Sequence, residues 1–128
     1  MSDLDPDLVM IIHDFILAHE PGVRGSNRAA LEGALGRIDH RRAYEGLNDI
    51  FEIAGLYAEA ISRAHAFADA NKRTALVSAL TYLYLQGFIV ARTAALEEIM
   101  VDLAQGMLGH LDMANIFASL AAPADSDS

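Results

Sequence analysis

The sequence predicts an all-α protein of about six helices arranged around one central, buried helix. Apolar residues recur at spacings of three and four along most of the 128 residues, as they do on the buried face of a helix. No run alternates with the period of two that a half-buried strand shows. Residues from about 71 to 86 are apolar almost all round, and such a helix belongs at the centre of a domain.

The first half of the chain predicts three helices. Asp5, followed by a proline, suits the start of a helix, and a proline with two glycines makes a loop of residues 20–27. Asn27 can cap the second helix. In the third helix, Asn48 and Gly55 mark either a break or a close contact with another helix. The three helices cover about residues 6–19, 28–38 and 43–63.

The second half predicts the central helix, two shorter helices and a tail. Gly87 ends the central helix, and the three apolar residues after it suit an extended crossing segment. Thr93 caps a fifth helix that ends at Gly106, and Asp112 caps a last one over 113–121. We expect one domain over residues 1–122, followed by a polar, disordered tail over 123–128.

Composition and charge exclude several classes of protein. With no cysteine the chain has neither disulfides nor a cysteine zinc site, and its net charge of -9 suits neither nucleic acids nor anionic membranes. The acidic N-terminus lacks the basic and apolar regions of a secretory signal. Residues 74–91 carry no charge and just reach membrane-spanning length, but their polar residues and Gly87 favour a buried helix. We therefore expect a cytoplasmic protein that binds neither membrane nor nucleic acid directly.

The residues that point to chemistry fall within one segment, residues 65–73, which has the sequence HAFADANKR. It leads into the start of the central helix, where free N–H groups attract anions. Lys72 and Arg73 are cations at an end where each is unfavourable by about 0.3–1 kcal/mol, which makes sense if an anion binds there. Lys72 is also the only lysine of the chain, and a compact ammonium suits phosphate oxygens. The segment therefore predicts a site for nucleotide phosphates.

The residues beside these cations supply the remaining chemistry. Asp69 is a hard oxygen ligand for Mg²⁺, and His65 can take a proton from an attacking hydroxyl. Asn71 either caps the helix or bonds to a ligand oxygen. Arg63 either reaches the phosphates or serves as a cation at the end of the preceding helix. Each of these residues alone has an ordinary structural explanation, but their combination at one helix start favours a functional site. Phe67 is the exception, because we expect it to anchor the loop in the core.

Two other groups of polar residues have simpler structural explanations. Histidine–carboxylate pairs at 13–14 and 19–20 resemble metal ligands but suit solvated helix ends better. Arg37, Arg41 and Arg42 form a basic cluster that could meet an acidic partner, although a plain surface cluster is the simpler interpretation.

The pattern His-x-Phe-x-Asp-Ala-Asn-Lys-Arg of residues 65–73 resembles the signature of the Fic/Doc superfamily, in the form found in Doc (death-on-curing) toxins. The resemblance extends from about Pro6 to Leu120. It implies an all-α Fic fold in which the motif histidine deprotonates a target hydroxyl and the aspartate binds the metal. The asparagine, the basic residues and the helix N-terminus hold nucleotide phosphates. In this chain these roles fall on His65, Asp69, Asn71, Lys72 and Arg73.

Two departures from the wider superfamily pattern narrow the implied activity. Adenylylating Fic enzymes carry Gly-Asn-Gly-Arg and a second arginine three residues on, whereas this chain has Lys72 at the second glycine and Leu76 at the second arginine. Doc toxins show the same changes and resemble kinases, because the nucleotide binds reversed and its γ-phosphate meets the hydroxyl. The resemblance implies a kinase that uses ATP and Mg²⁺ to phosphorylate a threonine of elongation factor Tu, which blocks translation.

The resemblance also implies how the activity is restrained. Many Fic enzymes inhibit themselves with a helix bearing Ser/Thr-x-x-x-Glu followed by Gly or Asn. The nearest match here runs from Thr93 to Glu97, but Glu98 follows, so it is not a copy. We therefore expect a separate, Phd-like antitoxin. Two alternatives remain: a Fic-type nucleotidyl transferase, and a silent Fic-fold binding module, against which the intact His65 argues.

Overall fold

The computed structural model describes residues 3–124, and these form six α-helices and one pair of short strands. The all-α class, the helix count and the central position of the fourth helix are confirmed. No helix within this range is long and apolar enough to cross a membrane. The elements are α1 (Pro6–His19), α2 (Arg28–Glu45), α3 (Ile50–Ala64), α4 (Asn71–Leu85), β1 (Phe88–Ile89), α5 (Ala94–Ala104), α6 (His110–Leu120) and β2 (Ala122–Pro123).

Side-chain caps fix the starts of three helices where the sequence predicts them. The carboxylate of Asp5 accepts a hydrogen bond from a first-turn N–H of α1 at 2.9 Å. Asn27 and Thr93 do the same for α2 and α5, each at 3.1 Å. A side-chain oxygen at this position satisfies one of the N–H groups that a helix start leaves unpaired.

The boundary between α2 and α3 differs from the prediction. We expected α2 to end near Ile38 and the next helix to begin near Ala43, but α2 continues to Glu45. Residues 39–45 include no glycine or proline, so nothing stops the helix before Gly46, which is left-handed with φ 63°. The carboxylate of Asp49 then caps α3.

The C-terminal part also differs in two boundaries. Helix α6 begins at His110 rather than after Asp112, whose carboxylate lies inside the first turn and accepts a hydrogen bond from the N–H of Gly109 at 2.9 Å. The predicted extended segment forms β1, in which Phe88 pairs with Pro123. Of the predicted tail, Pro123 lies in β2 and the N–H of Ala124 donates to the carbonyl of Gly87 at 2.9 Å, and residues 125–128 lie outside the described range.

Helices α3 and α4 form the centre of the domain as a pair. They pack along each other, while α3 also contacts α2, α5 and α6, and α4 contacts α1 and α5. Gly55 of α3 allows the closest of these approaches, because a Cβ atom there would collide with the backbone carbonyl of His110. Of the two interpretations offered for Gly55, the close helix contact is the correct one.

Candidate active site

The segment that joins α3 to α4 has an unusual backbone. His65 is the C-cap residue of α3, and Ala70 is the N-cap residue of α4. Both are left-handed, with φ values of 52° and 66°, although neither is glycine. Such conformations are unfavourable for residues with a Cβ atom and persist only where surrounding contacts hold them. The loop from 65 to 70 is therefore shaped by its neighbours.

The loop between α1 and α2 supplies one set of these contacts. The N–H of Asn27 donates to the carbonyl of Ala66 at 2.6 Å, and the N–H of Ala68 donates to the carbonyl of Gly25 at 2.9 Å. These two hydrogen bonds make a short antiparallel bridge between the loops. The α1–α2 loop consequently lies directly beside the motif.

Asn71 holds the motif loop from the other side. Its Oδ1 accepts from the N–H of Phe67 at 3.1 Å, and its Nδ2 donates to the carbonyl of Phe67 at 2.8 Å. Because both ends of the amide are used within the loop, its side chain shapes the site and does not cap α4. Within residues 3–124, the N–H groups of residues 71–73 donate to no acceptor. The start of α4 thus presents three N–H groups and the positive end of the helix dipole.

His13 of α1 packs against the loop from 65 to 70, a role that the sequence did not reveal. Its ring stacks on Phe67, and its Nε2 lies 3.0 Å from the carbonyl oxygen of Asp69. His13 is 3% exposed and lies in the middle of α1, so it is not part of a solvated helix end. The signal lay in its spacing, because Val9, Ile12 and Ile16 share the buried face of α1 with it.

Asp69 has its carboxylate fixed by two backbone groups. One oxygen accepts from the N–H of Ala70 at 2.7 Å, and the other accepts from the N–H of Val23 at 3.1 Å. These hydrogen bonds, that of Ala70 foremost, lower the pKa of Asp69, so it is ionised at neutral pH. Within residues 3–124 no three His, Cys, Asp or Glu side chains are grouped to hold a metal. One carboxylate is nevertheless enough for Mg²⁺ when substrate phosphates complete the coordination shell.

Arg73 belongs to a chain of alternating charges. Its Nη1 donates to Glu20 at 3.2 Å and to the carbonyl of Pro21 at 3.0 Å, and its Nη2 lies 3.8 Å from Asp69. Arg92 donates to the same Glu20 at 2.7 and 3.1 Å. These hydrogen bonds, that from Arg92 foremost, lower the pKa of Glu20. Glu20 is therefore an ionised bridge between two arginines, and sequence spacing did not reveal this contact.

Lys72 and His65 differ from Arg73 in being free. Both are exposed, and within the described chain neither side chain has a hydrogen bond or an ion pair. Lys72 and Arg73 line a cavity of about 210 Å³ whose other wall, from α5, includes Met100 and Val101. The site thus combines one free cation, one free imidazole and an adjoining small cavity.

Two further positions bear on the predicted site. Arg63 donates to the carbonyls of Leu103 and Leu108 and pairs with Glu59, so the structure uses it to bind the end of α5 and does not bring it to the motif loop. Leu76, at the position of the second Fic arginine, is 0% exposed and belongs to the main core. The positive charge at the start of α4 therefore comes from the helix end itself, Lys72 and Arg73.

Comparison with known proteins shows the family of the chain. Residues 3–83 match the model of the Fic/DOC family. The chain is also 35% identical over 121 residues to "Protein kinase doc" of Escherichia phage P1, an alignment that covers 94% of this chain and 96% of that protein.

Proposed function

Because this chain belongs to the Fic/DOC family, we propose that it is a toxin kinase that transfers the γ-phosphate of ATP to a threonine or serine hydroxyl of another protein. The observation that carries the proposal is the start of α4, where within residues 3–124 no side chain caps the helix and Lys72 has no partner, with the similarly unbonded imidazole of His65 at the other end of the same loop. The relative named as a kinase supports the same reaction.

The start of α4 is suited to hold the phosphates. The N–H groups of residues 71–73 can donate to phosphate oxygens, and Lys72 adds a full positive charge at the same place. Asp69 would hold Mg²⁺, which neutralises charge on the phosphates when it is bound. Arg73 contributes charge from a fixed position, since Glu20 and Pro21 already orient its guanidinium.

His65 is suited to the proton transfer. As the target hydroxyl oxygen forms its bond to the γ-phosphorus, the hydroxyl proton passes to a ring nitrogen of His65, and the bond to the β-phosphate oxygen breaks to release ADP. Little covalent assistance is needed in phosphoryl transfer, so position and charge account for most of the rate. The fixed loop supports this role, because it sets the position of the His65 backbone from which the imidazole extends.

Two residues favour a kinase over a nucleotidyl transferase. Lys72 fills the place of a glycine that lets a nucleotide backbone approach closely in adenylylating relatives. Leu76 fills the place of the second phosphate-binding arginine, and its side chain is buried in the core. Both changes weaken the binding mode that presents the α-phosphate to the hydroxyl.

The proposed target is elongation factor Tu, with inhibition of translation as the consequence. The choice of this target rests on the resemblance to Doc toxins. The net charge of -9 supports a protein target over direct binding to nucleic acid. An acidic enzyme in the cytoplasm would also be attracted to basic segments of its partners.

The proposed regulator is a Phd-like antitoxin. A groove of about 380 Å³ between α1 and α4 exposes Phe15 and Tyr84, which are 64% and 61% exposed. An amphipathic antitoxin segment could bury its apolar face there. The motif from Thr93 to Glu97 is followed by Glu98 and is not a copy of the inhibitory motif, which supports restraint by a separate protein.

Growth arrest on induced expression tests whether His65 carries the activity. We expect His65→Ala to abolish the arrest, whereas His40→Ala, a matched change on the exposed face of α2, should leave it intact. Co-expression of the reading frame beside the gene should restore growth of the wild type. Arrest by the His65→Ala protein at equal abundance would exclude catalysis by this residue as its cause.

A further inference from the structure

A second basic site lies between α2 and α3, away from Lys72 and Arg73. The two helices enclose a cavity of about 260 Å³, which we call the arginine cavity. Small and apolar residues form most of its wall, and its charged lining consists of Arg37, Arg41 and Arg63 with Glu59. Three of the chain's eight arginines therefore converge on one cavity of a strongly acidic protein. That excess of positive charge requires an explanation.

The three arginines differ in what already binds them. Arg63 is held by Glu59 and by the carbonyls at the end of α5. Arg41 has one ion pair, Nε to Oε2 of Glu45 at 3.0 Å, between side chains that are both more than 40% exposed. Such an exposed pair contributes about 0.3–0.5 kcal/mol and is easily exchanged for another partner. Arg37 has no hydrogen bond or ion pair within residues 3–124.

The chemistry of the cavity selects an anionic partner with an apolar part. Arg37 and Arg41 are four residues apart on one helix, so their guanidinium groups lie one turn apart and can each bind a carboxylate with two hydrogen bonds. The apolar wall beneath them suits an aliphatic side chain, which a free phosphate or a nucleic acid does not supply. An extended acidic peptide that carries one aliphatic residue supplies both.

The position of the cavity indicates which protein would bring that peptide. Ala64 lines the arginine cavity, and the next residue is His65. A peptide bound in the cavity therefore lies along the last turns of α3, immediately before His65 in the chain. We propose that the arginine cavity binds an acidic segment of the protein substrate and so brings its hydroxyl to His65, an inference that rests on the kinase function proposed above.

A binding experiment tests this without requiring phosphoryl transfer. The probe is a fluorescent synthetic peptide that contains glutamates around one leucine and one threonine, titrated with the full-length protein at low salt. The variants are Arg37→Glu and Arg41→Glu, singly and together. Arg28→Glu is the matched control, because it makes the same charge reversal on the same helix outside the cavity. Circular dichroism and ATP affinity are measured for every variant.

We expect the wild type and Arg28→Glu to bind the peptide within about twofold of each other, and the double cavity variant to lose about tenfold or more in affinity. ATP affinity should remain unchanged throughout. The proposal is overturned if the wild type does not bind the peptide, if the cavity variants bind it equally well, or if they lose ATP affinity instead. If the peptide binds as expected but γ-phosphate is never transferred to protein, the kinase function fails, while binding of an acidic segment by the arginine cavity stands.

Discussion

The ring of His13 lies nearly parallel to that of Phe67, with centroids 3.9 Å apart and an angle of 10° between the planes. The same imidazole bonds through Nε2 to the carbonyl oxygen of Asp69 at 3.0 Å. One buried side chain of α1 thus contacts the motif loop at two points, one on each side of Ala68. Since the loop contains two left-handed residues that are not glycine, these contacts help to maintain a backbone that would otherwise relax.

Two substitutions at His13 should separate stacking from hydrogen bonding. His13→Ala loses both contacts and should lower the free energy of unfolding by about 2–3 kcal/mol. His13→Phe retains the stacking and should be more stable than His13→Ala. Both leave the carbonyl of Asp69 without its partner, so phosphorylation should fall by roughly tenfold or more through misplacement of the carboxylate. Urea denaturation and initial rates measure the two effects, and full activity of His13→Phe would show that the hydrogen bond does not position the site.

A pair of glycine substitutions should have opposite signs. Gly55→Ala places a Cβ atom against the carbonyl of His110 and should destabilise the protein by about 1–3 kcal/mol as α3 and α6 move apart. Gly36→Ala lies in α2 with nothing within 4 Å of the added atom, so it should stabilise by up to about 1 kcal/mol. Thermal unfolding of both variants and of the wild type measures these changes in stability. Equal effects would mean that the α3–α6 approach is not close.

The pH dependence of stability should include a contribution from Glu20. Its pKa in the folded protein is lower than the ordinary 4.5, so its stabilising effect is complete above pH 4.5 and is lost as the pH falls through the folded pKa. Glu20→Gln should therefore show a shallower loss of stability in acid, and at neutral pH should cost about 0.5–1 kcal/mol. Glu98→Gln, which removes an exposed carboxylate, is the control. Parallel curves for wild type and Glu20→Gln below pH 4.5 would contradict the assignment.

Restoring the arginine of adenylylating relatives should fail on structural grounds. Leu76→Arg buries a charge at a position that is 0% exposed and should destabilise by more than about 3 kcal/mol. Leu85→Arg, at a position of α4 that is 45% exposed, should be tolerated. Chemical denaturation compares the two variants. A stably folded Leu76→Arg protein would mean that this position can open toward the phosphate site.

The sequence predicted the helices well because their signals are local. Asp5, Asn27 and Thr93 are caps that act within one turn, and the apolar character of α4 reports its burial directly. The α2–α3 boundary was misplaced because residues 39–45 are polar without containing a stop signal, and only the left-handed Gly46 ends the helix. Apolar spacing alone gives no such boundary.

The sequence predicted which residues lie near the start of α4, but not the contacts that they make with one another and with the rest of the chain. Spacing predicted that His65, Asp69 and Lys72 lie close to one helix start. In the structure Lys72 lies in the first turn of α4, Asp69 lies in the loop before it, and His65 is the C-cap of α3. It gave no sign that Glu20 bridges two arginines or that His13 supports the loop, because these contacts join residues more than 50 positions apart. Asn71 shows the limit most clearly. Its position before an apolar helix suggested a helix cap or a bond to a ligand oxygen. Its two hydrogen bonds to the backbone of Phe67 depend on the folded loop, so the sequence did not indicate them.

The most direct test of the kinase function is a two-label assay. The purified protein is incubated with elongation factor Tu, Mg²⁺ and ATP labelled in parallel reactions at the α- or the γ-phosphorus, with His65→Ala as the inactive control. We expect label in elongation factor Tu only from γ-labelled ATP and only with the wild-type enzyme. Label from the α position would show nucleotidyl transfer and contradict the kinase function.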